Sequence, residues 1–319
     1  MKAIVCTEYG SPDVLRLMEV AVPVPLDDEV LIRIRAASVN ALDWRLLRGK
    51  PVLARMFAGG LRKPKLTRPG RDVAGEVEAV GSNVSRFKPG DAVFGACLGA
   101  FAEQACAREA NLVLKPANVS FEDAAAVPVA GITALQVLRK GDIKAGRKVL
   151  VDGASGGVGA FAVQIAKAFG AEVTAVCSTG NVDTARSMGA DQVIDYTRED
   201  FTRNGQRYDL IVGANAHRSI LAYRRALSRD GIYVMAGGGG AQILQAMLLG
   251  PLLSRLGRRK TRFLMAKLNP GDLLVLQELL ATGKIVPAID RRYPLRDVAE
   301  AVRYLEAGHA RGKIVITME

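Results

Sequence analysis

The chain has 319 residues, 49% hydrophobic and 24% charged, the composition of a globular protein with ample material for two cores of roughly 150 residues each. Lys and Arg (44) exceed Asp and Glu (32), giving a net charge of +12, yet the surplus is scattered apart from Arg258, Arg259 and Lys260. With aromatic residues at 5%, the interleaved basic and stacking side chains of a single-stranded nucleic-acid surface are missing, and no nucleic-acid partner is expected. The first ten residues lack the basic start and apolar core of a signal peptide, and no apolar run reaches the roughly 20 residues of a membrane span. A cytoplasmic protein without an integral membrane segment is the expectation. The four cysteines, Cys6, Cys97, Cys106 and Cys177, form no CxxC pair and read as reduced thiols. The two histidines, His217 and His309, lie far in sequence from any cysteine, so the common His/Cys ligand spacings for zinc do not occur.

Residues 1 to about 120 carry short strand signals. Residues 30–35, ending in an alternation of Ile and Arg, read as a strand, residues 73–80 form a second candidate ended by Gly81-Ser82-Asn83, and Lys88-Pro89-Gly90-Asp91 is a turn before another at 92–94. Residues 101–107 add one more. Closely spaced strands with turn signals predict a small barrel. From about residue 122 the rhythm changes. An Ala-rich helix and a second one through Leu138 precede a buried strand at 147–151. Val158, Phe161, Ala162, Ile165, Ala166 and Phe169 then recur on one helical face. Strands at 173–177, 192–194, 208–212 and 232–236 alternate with helical segments, which predicts a parallel doubly wound sheet. Beyond Gly240 come an apolar helix at 242–249, a basic segment ending near Lys260, helices at 273–280 and 298–305, and a last strand at 313–317. The boundaries predicted are 1–122, 123–261, and 262–319 as a return to the first domain.

The strongest motif follows the strand that ends at Val151. Asp152-Gly153-Ala154-Ser155-Gly156-Gly157-Val158-Gly159 is a glycine-rich turn opening a helix. Small residues let a pyrophosphate approach the backbone, and the helix N-terminus offers free N–H groups and the positive end of its dipole. Gly159 permits close packing of helix on strand. Ala154 stands where the usual fingerprint has its first glycine. The second strand ends Cys177-Ser178-Thr179, without the carboxylate that holds the ribose hydroxyls of NAD, so NADPH is favoured over NADH. Ser178 also suits a helix cap. Gly237 to Gly240 and Asn215 follow later strands and belong to the same sheet edge, where ligands bind in such folds.

Taken together, Ala37-Ser38-Val39-Asn40-Ala41-Leu42-Asp43-Trp44, Pro69-Gly70-Arg71-Asp72-Val73-Ala74-Gly75, Phe87-Lys88-Pro89-Gly90-Asp91, Ala130-Gly131-Ile132-Thr133-Ala134-Leu135 and the glycine loop resemble the medium-chain dehydrogenase/reductase superfamily, within it the zinc-independent quinone oxidoreductase and enoyl reductase branch. The resemblance spans the chain. It implies a GroES-like β-barrel catalytic domain plus a Rossmann domain, an α/β protein, with homodimerisation through the last Rossmann strand, here near residues 232–236. In zinc-dependent members a Cys occupies the position matched by Asn40, and a His-Glu pair that matched by Arg71-Asp72. The four-Cys structural lobe is missing between Cys97 and Cys106. No metal site is expected.

The resemblance also assigns residues. Asn40 and Asp43 line the nicotinamide pocket and are the catalytic candidates, for orientation. Thr133 touches the nicotinamide side. With Gly153, Ser155, Gly156, Gly157, Val158 and Gly159 at the pyrophosphate, the cofactor set includes Ser178, Asn181, Tyr196, Asn215, Gly237 and Gly238. Some relatives carry a Lys where Asn181 stands, and many quinone reductases a Tyr where Arg45 stands. The implied reaction is zinc-independent hydride transfer from NADPH to a quinone or an α,β-unsaturated carbonyl. The Asn40 amide, a ribose hydroxyl or a water would meet the charge on the substrate oxygen, and water is the default proton source. Alternatives are an alcohol or carbonyl reductase of the same superfamily, and a non-catalytic NADPH-binding interaction protein. The apolar side chains Leu244, Met247, Leu248 and Leu252 either cover the pocket or pack against the barrel.

Overall fold

A computed structural model describes residues 1–49, 55, 60–255, 257–308 and 310–318. The first strands are β1 (Lys2–Val5), β2 (Arg16–Glu19) and β3 (Glu29–Val39), followed by helix α1 (Ala41–Arg48). Then come β4 (Asp72–Val80), β5 (Ala92–Ala96), β6 (Gln104–Arg108), β7 (Leu112–Leu114) and helices α2 (Phe121–Ala126) and α3 (Pro128–Lys140). Next the chain alternates: β8 (Lys148–Asp152), α4 (Gly157–Ala168), β9 (Glu172–Cys177), α5 (Val182–Ser187), β10 (Gln192–Asp195), β11 (Tyr208–Gly213), α6 (Ile220–Ala226) and β12 (Leu227–Met235). It closes with α7 (Gly240–Arg255), β13 (Lys260–Phe263), α8 (Pro270–Ala281), β14 (Ile289–Pro294), α9 (Val298–Glu306) and β15 (Lys313–Thr317). Two compact units result. One comprises Met1–Val129, Leu268–Thr282 and Ile289–Glu319, the other Ala130–Lys267 and Gly283–Ala288.

In the first unit β14-β15-β3-β4-β5-β7 form a mostly antiparallel sheet, and β6 also pairs with β3. Strand β3 shows why. Val30, Ile32 and Ile34 are buried while Arg33 and Arg35 reach solvent, bonding Glu78 and Glu76 on β4. One face therefore joins the core built by Val73, Val93, Phe101 and Ile314. Burying each such side chain contributes about 1.5–3 kcal/mol relative to exposure. Three strand ends converge here, because Ser38 pairs with Asp72 across β3 and β4, and Ile314, next to Lys313, pairs with Val39. Of residues 101–107, expected as one strand, Ala102 forms only a single bridge to Ala3 and the continuous strand β6 begins at Gln104.

The second unit is a six-stranded parallel sheet in the order β10-β9-β8-β11-β12-β13. From β8 the chain first winds outward through β9 and β10, then returns to the other side with β11. The order reverses between β8 and β11, the place where sheets of this kind bind ligands at the carboxyl ends of their strands. Val149, Leu150, Val151, Leu210, Ile211 and Val212 are fully buried, as parallel strands covered on both faces must be. The predicted dimer strand at 232–236 is not the sheet edge. Residues 232–235 of β12 pair with β13, a strand not expected after the basic segment ending near Lys260, and its Thr261 is buried. On α7 the side chains of Leu244, Met247, Leu248 and Leu252 are exposed.

Candidate active site and dinucleotide cradle

In the second unit, β8 ends at Asp152 and the chain turns at once. Gly153 adopts φ +84°, and a Cβ there would lie 2.7 Å from Cβ of Asn215. Gly159 is tighter still: a Cβ would lie 2.0 Å from the carbonyl oxygen of Gly153. At Gly156 a Cβ would meet nothing nearer than 3.6 Å, so the protein itself leaves open space over that residue. The intrahelical ladder of α4 starts with Ala160 N–H donating to the Gly156 carbonyl. The amides of Gly157, Val158 and Gly159 stand ahead of it, the arrangement that binds phosphate at a helix N-terminus.

Neighbouring strand ends complete the cradle. The amides of Ala214 and Asn215 both donate to the Asp152 carbonyl, and Ala216 N–H to that of Gly237, so Asn215, Gly237 and Gly238 are drawn to the glycine loop's edge. Beneath the loop lies a brace that sequence reading missed. The Tyr223 hydroxyl donates to Asp152 Oδ2 at 2.5 Å, and its ring stacks on Tyr233 at 4.4 Å. Burial pushes the Asp152 carboxyl above its usual range, with the tyrosine hydrogen bond acting against it.

On the other side of β8, Ser178 and Asn181 follow β9, and Tyr196 follows β10 with its amide bonded to the Cys177 carbonyl and its side chain 54% exposed. Asn181 is buried. Its Nδ2 donates to Ser178 Oγ at 3.0 Å, while its Oδ1 is the buried side-chain oxygen without a partner among the described residues. An orphaned acceptor and an open glycine cradle both fit a dinucleotide, whose ribose hydroxyls would donate to that oxygen. A carboxylate does stand at this edge, supplied by the adjacent strand. Asp195 pairs in register with Cys177, accepts the Thr179 hydroxyl at 2.5 Å and meets Arg198 at 3.5 Å. Those hydroxyl and hydrogen-bond donors, led by Thr179 and Thr197, hold its carboxyl below the usual range. Thr133 stands half-buried on α3, and His217 is exposed. His309 lies outside the described residues.

In the first unit, Asn40 is the N-cap of α1 and Asp43 its N3 residue. Asp43 Oδ2 accepts the Asn40 N–H at 2.7 Å. The Asn40 amide, one of the three groups expected to meet the substrate oxygen, is committed inward: its Nδ2 donates to Asp72 Oδ2 at 2.9 Å and to the Ser38 carbonyl at 3.4 Å. Its Oδ1 accepts from the ammonium of Lys313 at 2.7 Å. Asp72 is fully buried and also accepts Ser38 Oγ (2.6 Å), Val129 N–H (2.9 Å) and Lys313 Nζ (3.2 Å). Asp43 lines a pocket with Tyr9, Leu46, Leu66, Arg71 and Leu98. Burial lifts its carboxyl to about 7, helped by Asp72 and opposed by the Asn40 amide, Arg71 and Lys313. Trp44 packs against the core.

Two kinds of sequence comparison agree with this geometry. Residues 26–117 match the family described as alcohol dehydrogenase GroES-like domain, and residues 188–316 that described as zinc-binding dehydrogenase. A 2-methylene-furan-3-one reductase of Solanum lycopersicum is 37% identical over 99% of this chain and 79% of its own length. A chloroplastic quinone-oxidoreductase homolog of Spinacia oleracea is 36% identical over 99% of this chain and 98% of its own. Among solved structures, the Escherichia coli quinone oxidoreductase complexed with NADPH superposes with a TM-score of 0.84 at 26% identity, covering 99% of this chain and 100% of that one. Fold and cradle define a Rossmann-type oxidoreductase. More narrowly, the chain belongs to the quinone oxidoreductase branch of the medium-chain dehydrogenase/reductase superfamily.

The second family description raises zinc, and the residues do not fit it. Where a thiolate, an imidazole and a carboxylate would be needed, the donor set is an amide, a carboxylate and an ammonium that already neutralises the carboxylate. Burial and the Asp72 carboxylate push the nearby Cys97 thiol up to about 12, which disfavours the thiolate ligand. Among the described residues no three His, Cys, Asp or Glu side chains are grouped to hold a metal ion.

Proposed function

We propose that this chain is an NADPH-dependent reductase that delivers hydride to a quinone or to the β-carbon of an α,β-unsaturated carbonyl. The observation that carries the reading is the glycine cradle at the β8/β11 reversal, with open space over Gly156 and an unpaired acceptor on Asn181. The names of the Solanum lycopersicum and Spinacia oleracea relatives support the acceptor class, and the NADPH complex of the Escherichia coli enzyme supports the cofactor.

The bound nicotinamide supplies the hydride chemistry. This chain's residues do the rest. The α4 N-terminus binds the pyrophosphate through the amides of Gly157 and Val158, with Gly153, Ser155, Gly156 and Gly159 giving it room. Ser178, Asn181 and Tyr196 hold the adenosine end, and Thr133, Asn215, Gly237 and Gly238 the nicotinamide end. Asn40 stays engaged with Asp72 and Lys313, so it orients the pocket wall instead of contacting the substrate. Asp43 presents its carboxyl to the pocket. The exposed apolar face of α7 suits a wall for an apolar substrate. The alcohol or carbonyl reductase reading is weaker, because a polarised carbonyl would need a Lewis acid and the donor set at Asn40, Asp72 and Lys313 does not suit one.

A cytoplasmic homodimer joined through the free edge of β13 completes the proposal. The homodimer is supported by that edge, and among the described residues no helix is long and apolar enough to cross a membrane. The test is NADPH oxidation, followed by absorbance, against panels of quinones, enones and aldehydes. Turnover with the first two panels is expected. Turnover with aldehydes alone, or tight NADPH binding without turnover on any panel, would refute the reading.

A further inference from the structure

The basic run Arg258-Arg259-Lys260 has no part in the dinucleotide cradle, and the fold brings further cations to it. Strands β11, β12 and β13 are parallel neighbours, so their amino ends lie side by side. Arg207 immediately precedes β11, and Arg258 and Arg259 lead into β13. Arg224 comes from the last turn of α6, just before β12. Arg229 is delivered by an irregularity in β12: Leu227 pairs with Tyr208 and Ile232 with Leu210, so residues 228–231 stand opposite Asp209 alone and bulge outward. The side chains of these five arginines line one cavity of about 390 Å³, the size of a small-molecule site. All of them belong to the second unit. The cradle lies at the carboxyl ends of the same sheet, so the length of β11, roughly 20 Å for six residues, separates the two places.

The arginines are held by neutral groups. Arg224 donates to the Arg259 carbonyl at 2.9 Å and to Thr261 Oγ1 at 3.3 Å, Arg259 to the Ser228 carbonyl at 3.2 Å, and Arg207 to the Gln206 carbonyl at 2.8 Å. Carbonyl and hydroxyl oxygens fix a guanidinium without cancelling its charge, and each fork keeps further N–H donors. The Arg229 guanidinium makes no hydrogen bond or ion pair among the described residues. The set's one ion pair among those residues joins Arg258 to Asp230 at 3.8 Å with both side chains largely exposed, a geometry worth little. Asp209, opposite the bulge, has its oxygens engaged by the Ser228 hydroxyl and the Lys148 N–H. Burial, and then the charge of Arg259, pull the Arg224 guanidinium below its usual range, the effect of like charges held together in a partly dry place.

We propose that this cavity is a second anion site of the chain, recognising the phosphoryl group of a compact polyanion such as a diphosphate. Five cations converging on one space with a single loose counter-charge repel one another until an anion joins them, and several charges on that anion suit several guanidiniums. The planar fork of arginine matches phosphate oxygens two at a time. No aromatic side chain lines the cavity, so a nucleobase has nothing to stack on, and the phosphoryl group carries the recognition. That chemistry is shared by a free phosphorylated small molecule and by the headgroup of an anionic lipid. The site is independent of the reductase reading, because none of its residues belongs to the cradle.

The experiment is calorimetric titration with inorganic pyrophosphate at constant ionic strength. Because the cradle also accepts a pyrophosphate, the protein is first saturated with NADPH, and the measurement is repeated in Gly156→Ala, where the cradle is obstructed. One pyrophosphate per chain should bind in both, with a Kd below about 1 mM. Arg229→Glu and Arg258→Glu, both at exposed positions, should each weaken it by about tenfold or more, with NADPH affinity showing that the variants are folded. Arg224→Met should abolish it; since Arg224 also ties α6 to β13, the two exposed variants carry the test if that one fails to fold. Sedimentation with phosphatidylcholine vesicles containing phosphatidic acid separates the sources. Protein that pellets with them, is released by pyrophosphate and stays in solution as Arg258→Glu marks a lipid headgroup as the ligand, and protein that binds pyrophosphate but ignores the vesicles marks a free anion. Binding of neither probe overturns the site. Binding that persists within about twofold in both glutamate variants also overturns it, as general attraction to a chain of net charge +12.

Discussion

Gly156, the N-cap of α4, and Gly159, in its first turn, are three residues apart, yet the structure gives them opposite jobs, and a pair of alanine substitutions separates them. At Gly159 a Cβ would sit 2.0 Å from the Gly153 carbonyl oxygen and 2.8 Å from Cα of Ala154, both backbone atoms that cannot swing away. Relief requires α4 to move off β8. Overpacking of this kind costs about 1–3 kcal/mol, so the melting temperature of Gly159→Ala should drop by roughly 2–12 °C. At Gly156, φ is −78° and the nearest atom to a new Cβ is 3.6 Å away, so the apo protein accepts alanine without strain. The entropy gained from a stiffer unfolded chain, about 0.4–1 kcal/mol, is set against a poorer N-cap. The net change in stability is close to zero. The methyl instead fills the space reserved for the pyrophosphate, and NADPH affinity should fall roughly tenfold or more. Differential scanning fluorimetry reads the first effect, and titration of NADPH fluorescence reads the second. Gly156→Ala binding NADPH within about twofold of wild type would refute the placement of the pyrophosphate on this turn.

Two further outcomes follow from the titratable groups. Asp43 has its carboxyl raised from 3.8 to about 7 in the folded chain, so the native state holds a proton that the unfolded state releases between those values. That sign means its contribution to stability is fully present below about pH 4 and is lost as pH rises through about 7, a span on the order of 4 kcal/mol. Urea unfolding from pH 4 to 8 should show this slope in the difference between wild type and Asp43→Asn; parallel curves would count against a buried neutral acid. Asp195 places a carboxylate beside Ser178 and Thr179, so Asp195→Asn should raise the ratio of NADPH to NADH affinity by roughly fivefold. Competitive titration of the two nucleotides measures this, and an unchanged ratio would remove Asp195 from the adenosine pocket.

Much of the architecture is legible in local patterns. The alternation at Val30, Ile32 and Ile34 is a strand because one face must enter a core. The run from Val151 to Gly159 is a strand, turn and helix because its small residues and periodicity demand it within a dozen positions. What escaped is what distant register creates. Lys313 reaches Asn40 only because β15 pairs with β3, across 273 residues of sequence. Asp195 joins Cys177 only because β10 aligns with β9, so a rule that looks for a carboxylate at the end of the second strand misses one delivered by the third. The resemblance puts Asn40 at the nicotinamide pocket, its amide one of three candidate partners for the substrate oxygen beside a ribose hydroxyl and a water. The amide faces inward because a fully buried Asp72 needs donors more than a solvated pocket does.

That last point bears on how the buried Asp72 charge is balanced. Asp72 would be a costly buried anion if left alone. A divalent ion would neutralise it but leave excess positive charge in the pocket, lowering the proton affinity of any neighbouring carboxyl. A single ammonium, satisfied by one carboxylate and two carbonyl oxygens, brings the local sum to zero. In such a balanced surrounding, desolvation becomes the dominant influence on Asp43, and desolvation favours the protonated acid.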